Sequence, residues 1–276
     1  MVKPKYIHWI EEENVLIDNY NGELKCYRLN YNHDDDVLND WAHHIRNHYI
    51  SDEELEQTIL EFGISKEKYL TENVLPQKTQ KLGSISRSNT MTELLISDLL
   101  EFIFGYHVPR VRQEILSDPT EFVRGTDVFG FKYINDDFKP DKNDTLITCE
   151  VKGVLSSEDT TVIEKAIKDS KLDLDRLSKT LDFTRRKLKS FQKYDEAKKV
   201  ARFQFKTKDD YIIKYAAAGI TNVDKFEEKK VNGKTIKIIP GIDGAKLVIP
   251  ADKSIYFIYG KDLMQLTHDL YQRCLK

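Results

Sequence analysis

The sequence predicts an α/β fold, with α+β as the alternative, because strand-like and helix-like segments interleave along the chain. The strand-like runs lie at 6–31, 124–131, 146–153 and 254–259. Apolar residues recur at helical spacing in four segments, 37–45, 90–104, 161–199 and 263–275. Strands separated by helices in this way favour a sheet with helices packed against it.

The chain is predicted to form a strand-helix subregion at 1–75, packed on a larger domain at 76–276. Residues 76–88 are polar and are interpreted as a connector, or alternatively as a segment whose Lys78, Lys81 and Arg87 contact a phosphate backbone. The next helix is expected to begin at 89 or 90. Near residue 217 three alanines in a row predict another helix.

Composition limits the possible functions. A chain of 276 residues with 40% apolar content can bury one sizeable core or two small ones. Charged residues make up 32%, yet the formal net charge is only −3, so bulk charge does not predict tight nucleic-acid binding by the chain alone. Local basic patches, or a partner protein, would have to provide the affinity for nucleic acid.

Cysteine usage and hydropathy predict a cytoplasmic protein without a membrane segment. Cys26, Cys149 and Cys274 are odd in number and far apart, so they indicate neither a disulfide framework nor a CxxC metal site. The first residues contain no apolar signal region. No run approaches the ~18–20 apolar residues that a membrane span requires.

The run 146–153 holds the most informative side chains. Residues of a strand alternate between its two faces. Ile147, Cys149 and Val151 are therefore expected to point into the core, and Glu150 and Lys152 to lie together on the opposite face. A carboxylate and an ammonium placed in this way can contact one ligand.

An acid on the preceding strand-like run extends this pattern to a metal site. Mg²⁺ takes oxygen ligands, usually one or two carboxylates with waters and substrate phosphate. Asp127 and Glu150 are candidate ligands, the carbonyl of Val151 is a third, and Lys152 is the candidate for orienting a water or stabilising developing charge. The alternative is a surface ladder with a cross-strand ion pair.

The order of a helix with Glu, a strand with Asp and a strand with Glu-x-Lys resembles the PD-(D/E)XK nuclease superfamily. More closely, the chain is similar to the HamA family, the nuclease subunit of the Hachiman anti-phage defence system. The resemblance covers most of the chain and rests on the stretches 50–55, 63–70, 92–95, 124–131, 149–153 and 256–264. Thr126-Asp127 stands where the superfamily often has Pro-Asp.

The resemblance implies a restriction-endonuclease-like mixed central sheet flanked by helices. It implies a Mg²⁺-dependent deoxyribonuclease, in which Mn²⁺ can substitute, with Glu93 as an additional helix acid at the site. The alternative for Glu93 is a first-turn acid that stabilises the helix dipole. It also implies a superfamily 2 helicase partner, HamB, and DNA as the substrate. The chain has no GxxxxGK[ST] phosphate loop of its own, so the partner would hydrolyse nucleotide.

Two other functions stay open. The first is a catalytically silent adaptor that binds the helicase or DNA, which would be favoured if Lys152 were turned away or capped by an acid. The second is a free-standing restriction-type endonuclease, although no base-reading surface is recognisable. Convergence of Asp127, Glu150 and Lys152 would favour the nuclease.

Two further groups of residues are candidates for binding. Arg185, Arg186, Lys187 and Lys189 form a basic cluster that is predicted to bind nucleic acid, but nearby acids make a solvated helix face equally compatible. The spacing of His44 and His48 permits a metal clamp; the alternative is a polar helix face.

Overall fold

The computed structural model describes residues 2–20, 22–111, 125–135, 138–223, 226–231, 233–247 and 253–276. Its strands are β1 (Ile10–Glu13), β2 (Val15–Asp18), β3 (Leu24–Leu29), β4 (Val128–Lys132), β5 (Thr145–Val154), β6 (Ile212–Asn222), β7 (Glu227–Val231), β8 (Lys234–Asp243) and β9 (Lys253–Gly260). Its helices are α1 (Asp35–Arg46), α2 (Asp52–Phe62), α3 (Lys66–Tyr69), α4 (Gly83–Asp98), α5 (Val162–Asp169), α6 (Asp173–Ser190), α7 (Tyr194–Arg202) and α8 (Leu263–Arg273).

The central sheet has six strands in the order β1-β3-β9-β6-β5-β4. Its four inner strands run parallel, and β1 and β4 pair antiparallel at the two edges. A separate sheet has the order β2-β8-β7. The predicted α/β class, with a mixed central sheet flanked by helices, is confirmed.

Helices cover both faces of the central sheet. On one face α1, α4 and α8 pack over a cluster that includes Ile147, Cys149 and Val151 of β5. On the other face α5 packs over β6 and β9, while α6 and α7 pack over β4 and the start of β5. The core therefore lies in two layers, and β5 is buried by helices on both sides.

The alanine-rich segment near residue 217 is a central strand, so the helix predicted there is wrong. Ala216, Ala217 and Ala218 are fully buried in β6, between β5 and β9. A Cβ on Gly219 would lie 2.8 Å from Cγ1 of Ile163, which shows how closely α5 approaches the strand. Small side chains permit this approach, and burial between two strands outweighs the helix propensity of alanine.

The connector predicted at 76–88 is only partly correct, because α4 begins at Gly83 rather than at 89 or 90. Arg87 is buried, donates a 2.6 Å hydrogen bond to the Pro76 carbonyl and lies over the Tyr271 ring. These tertiary contacts stabilise a first turn whose glycine and serines have weak helix propensity. They also remove Arg87 from contact with a phosphate backbone.

The apolar spacing within 161–199 also predicts a break near Ser170, and the structure has one there. A 3-10 turn at Ser170–Leu172 separates α5 from α6. The strands β1 and β3, from the predicted N-terminal subregion, belong to the same sheet as β9 and β6; the division near residue 75 stays a prediction. Within the described ranges, no helix has the length and apolar character needed to cross a bilayer.

Candidate active site

Strand alternation places Glu150 and Lys152 side by side, as predicted. The face of β5 that carries Cys149 and Val151 packs under α4, and Glu150 and Lys152 point to the other face. Lys152 Nζ donates a 2.6 Å hydrogen bond to Glu150 Oε1. The two side chains therefore form one charged pair near the carboxyl end of the strand.

Asp127 joins this pair because β4 and β5 are neighbours. Val128 lies opposite Cys149 in the antiparallel ladder, which brings the preceding residue, Asp127, beside the end of β5. The Val151 N–H donates a 2.9 Å hydrogen bond to Asp127 Oδ2. Since the N–H and carbonyl of one strand residue point to the same neighbouring strand, the Val151 carbonyl faces the same edge.

Helix α4 brings the predicted fourth acid to the same place. A Cβ on Gly153 would lie 2.2 Å from Thr92 Cγ2, so only glycine lets β5 pass this close to the helix. Glu93 follows Thr92 and lines a cleft of about 850 Å³ together with Asp127, Glu150 and Lys152. The four residues predicted to form the site thus share one cleft.

The Glu150 carboxyl is in an unfavourable environment for a charge. It is 2% exposed, and its Oε2 has no hydrogen-bond partner among the residues that the structure describes. Burial, followed by the charge of Asp127, raises the pKa of Glu150, although Lys152 acts in the opposite direction. A buried carboxylate oxygen without a donor, next to a second carboxylate, suits a bound cation.

The donor set suits a hard cation rather than zinc. Within the described ranges no group of three or more His, Cys, Asp or Glu side chains is arranged to hold a metal. Zn²⁺ sites usually need three or four such side chains. Mg²⁺ is held by one or two carboxylates and completes its shell with waters and phosphate, so Asp127, Glu150 and the Val151 carbonyl fit it.

Two residues that the sequence analysis did not single out complete the charge pattern. Asp169, the last residue of α5, lies 3.2 Å from Lys152 Nζ. Arg176, in the first half of α6, places a guanidinium nitrogen 4.0 Å from Glu150 Oε2. Burial alone would lower the pKa of Lys152, but its hydrogen bond to Glu150 and the nearby acids raise it.

The predicted basic cluster on α6 is only partly directed at the cleft. Arg185 and Arg186 both bind Asp182, at 2.6 and 3.0 Å, which reduces their net charge. Arg186 lines the cleft, whereas Lys187 is half-buried and Lys189 is exposed. A role of these four residues in nucleic-acid binding stays a prediction.

The cleft contains two other cations from α6. Arg176 and Lys179 line it together with Arg186. The three lie at positions 176, 179 and 186, spacing that keeps them on one side of the helix, so they form a basic row facing Glu150 and Lys152. Sequence spacing contained this signal, but the many other lysines and arginines of α6 obscured it.

His44, in α1, and His48, just after its end, form neither a metal clamp nor a polar helix face. His44 and His48 are buried, with ring centroids 4.6 Å apart. His44 Nε2 lies 3.0 Å from Asp98, and His48 Nε2 accepts from Arg110 at 3.0 Å. Burial, followed by the charge of Arg110, lowers the pKa of His48 well below its usual range, so this ring stays neutral.

Comparison with known proteins identifies the family of this chain. No curated protein matches the chain. A family model described as HamA matches residues 4–274. Because the match spans nearly the whole sequence and includes every residue of the cleft described above, the chain belongs to the HamA family.

Proposed function

We propose that this protein is a Mg²⁺-dependent nuclease that hydrolyses DNA phosphodiester bonds. The observation that carries the proposal is the buried Glu150 carboxylate, whose Oε2 lacks a donor in the described structure and which shares an open cleft with Asp127 and Lys152. Most buried side-chain polar atoms of folded proteins have a hydrogen-bond partner, and a carboxylate is especially costly to leave without one. A site built for a cation leaves it available.

Asp127 and Glu150 would hold the ion, with the Val151 carbonyl as a third ligand. A bound Mg²⁺ would neutralise charge on the phosphate and lower the pKa of a water molecule. Lys152, whose pKa is raised, stays protonated and can donate to that water or to a phosphate oxygen. Glu93 is the candidate for a further contact from α4.

The basic row of α6 would position the substrate. Arg176, Lys179 and Arg186 line the cleft opposite the carboxylates and offer donors to the phosphates on either side of the scissile bond. With a formal net charge of −3, the chain has few cations to spare for bulk attraction. A helicase partner that delivers DNA, HamB by family resemblance, is consistent with this low net charge.

Membership of the HamA family places the protein in the Hachiman defence system, and we propose that it acts there in the cytoplasm with that helicase. The alternative, a catalytically silent adaptor, gains support from one contact. Asp169 does cap Lys152, which is the arrangement expected of an adaptor. However, the Asp169 side chain is 44% exposed, so a phosphate group can replace it at modest cost.

DNA cleavage by the protein together with its helicase, in Mg²⁺ and ATP, separates the two functions. Plasmid, linear, damaged and single-stranded DNA should be compared for wild type, Glu150→Gln and Lys152→Ala. If the protein is a nuclease, cleavage of at least one substrate is lost in both variants while the complex still assembles. Lys68→Ala, at an exposed lysine that does not line the cleft, is the matched control.

Equal cleavage by wild type and both variants would place the chemistry elsewhere. A stable complex that binds DNA but cuts none of the four substrates would favour the adaptor. Binding of Mn²⁺ by the isolated chain, measured by calorimetry, gives a second readout. It should be lost in Glu150→Gln and kept in Lys152→Ala.

A further inference from the structure

A second pocket lies at the carboxyl ends of β3 and β9, outside the nuclease cleft. It has a volume of about 580 Å³ and is closed on one side by β7 and β8 of the smaller sheet. Ligands of open α/β sheets commonly bind beyond the carboxyl ends of parallel strands. The position alone therefore makes this pocket a candidate binding site.

The pocket carries cations that the protein itself does not neutralise. Arg28 and Lys261 both line the pocket, and within the described parts of the chain neither has an ion-pair partner within 4 Å. Lys237 is different, because Glu13 binds it at 2.6 Å. Glu228 is the acid among the described lining residues, so unneutralised positive charge prevails.

Acids outside the lining are already engaged. Glu11 is the register partner of Arg28 across β1 and β3, but its carboxylate accepts from Asn30 at 3.3 Å. Glu13 is held by Lys237. The charge of Glu13 also acts on Arg28, but among the described residues the guanidinium has no hydrogen bond or ion pair within 4 Å, and a planar guanidinium is well suited to phosphate.

Aromatic side chains form the rest of the wall. Tyr31, Phe226 and Tyr259 all line the pocket. Phe226 and Tyr259 meet edge to face, with ring centroids 4.7 Å apart, and Tyr31 is half-buried beside His33. Aromatic surfaces next to unpaired cations are the combination that binds a base together with its phosphate.

The strand register gives the distance to the nuclease cleft. Lys152 lies in one row with Gly219, Phe257 and Cys26, and Arg28 is two residues farther along β3. Three strand spacings and two residues correspond to roughly 16 Å between the Cα atoms. Helix α5 covers the strands between, so the pocket is separate from the cleft.

We propose that this pocket binds one nucleotide unit, with Arg28 and Lys261 on its phosphate and the aromatic wall on its base. The unit could be a free nucleotide or one residue of a nucleic-acid strand, because both present the same chemistry. The proposal does not depend on nuclease activity. Binding to the pocket can be measured with the isolated chain in the absence of metal.

Calorimetric titrations with ATP, with a short oligodeoxyadenylate and with inorganic phosphate test the proposal. Wild type should bind ATP or the oligonucleotide, and inorganic phosphate much more weakly. The double variant Arg28→Gln/Lys261→Gln should lose at least about tenfold in affinity. Lys68→Gln is the matched control, since that lysine is exposed and remote. Thermal unfolding checks that each variant is folded.

The titrations with ATP and with the oligonucleotide also distinguish the source of the nucleotide. Binding of ATP indicates a free nucleotide, and binding of the oligonucleotide alone indicates a strand. Arg176→Gln, in the nuclease cleft, should leave ATP affinity unchanged and shows how much oligonucleotide binding belongs to the cleft. Absence of binding by folded wild type, unchanged affinity in the double variant, or phosphate binding as tight as ATP would overturn the proposal.

Discussion

Two clusters of buried charge in this protein differ in their hydrogen bonding. Around Asp98, Tyr6, His44 and Arg110 all donate to one carboxylate, and Arg110 also binds Glu101. Around Glu150, one oxygen accepts from Lys152 while the other has no donor among the described residues. A buried network in which the charged groups are hydrogen-bonded stabilises the fold. A buried carboxylate oxygen that lacks a donor and faces a cleft is instead available for a ligand.

The largest expected effect is on stability, in the satisfied cluster. Asp98→Asn leaves Arg110 buried with part of its charge uncompensated, and breaking such a pair costs about 3–5 kcal/mol. Chemical denaturation should show the loss. Because this is a large share of a domain's stability, Tyr6→Phe provides a milder test, with an expected cost of ~1 kcal/mol. An unchanged midpoint in both variants would contradict a stabilising role for the network.

The next effect is on activity, in the unsatisfied cluster. Glu150→Gln removes the carboxylate that would hold the cation, and loss of such an electrostatic contribution lowers kcat about 10²–10³-fold. Its Tm should stay the same or rise, since a buried charge without full compensation is removed. A variant that lost stability as well as activity would show that Glu150 is a structural residue.

The two clusters should respond to pH with opposite signs. The pKa of Glu150 is raised on folding, so its folded state binds more protons and stability falls as pH rises from about 4.3 through the folded pKa. The stability difference between Glu150→Gln and wild type should therefore shrink on acidification. Urea unfolding of both proteins between pH 4 and 7 measures it.

For His48 the sign is reversed. Its pKa is lowered on folding by burial and by Arg110, so the unfolded chain binds more protons and stability is lost as pH falls below about 6.5. His48→Gln should unfold with less dependence on pH between 7 and 5. If both proteins gave parallel curves, the ring would not be neutral in the fold.

The smallest expected effect is at Asp169, the acid that contacts Lys152. Asp169→Asn removes one of two carboxylates from Lys152, and since both side chains are partly exposed the unfolding free energy should change by less than about 1 kcal/mol. DNA cleavage should rise a few-fold, because the substrate phosphate no longer has to displace the Asp169 carboxylate from Lys152. Asp195→Asn, at an exposed acid that pairs with Lys198 and does not line the cleft, is the control. Reduced cleavage in Asp169→Asn would instead give the acid a positive role.

Sequence alone predicted those parts of the molecule that depend on local pattern. Alternation along β5 correctly placed Glu150 and Lys152 on one face, and the break near Ser170 came from the helical period. The segment at Ala216–Ala218 was misread because its environment comes from α5 and two neighbouring strands. The start of α4 was misread because its stability comes from Arg87, which contacts residues far along the chain.

The candidate site shows the same limit. Asp127 and Glu150 could be named from their positions on two strands that pair. Asp169 could not, because its contact with Lys152 requires the β5–α5 crossover to return to the end of the same strand. Likewise, the spacing of His44 and His48 is compatible with a metal clamp, and only the positions of Asp98 and Arg110 exclude that reading.

The parallel strands of the central sheet fix the distance between the two pockets. Backbone hydrogen bonds fix the spacing of β5, β6, β9 and β3 at about 4.8 Å for each step. Neither hinge motion nor side-chain rearrangement can alter that span without breaking a ladder of buried hydrogen bonds. A ligand that bound in both pockets at once would therefore have to span a distance that is set by the number of strands between them.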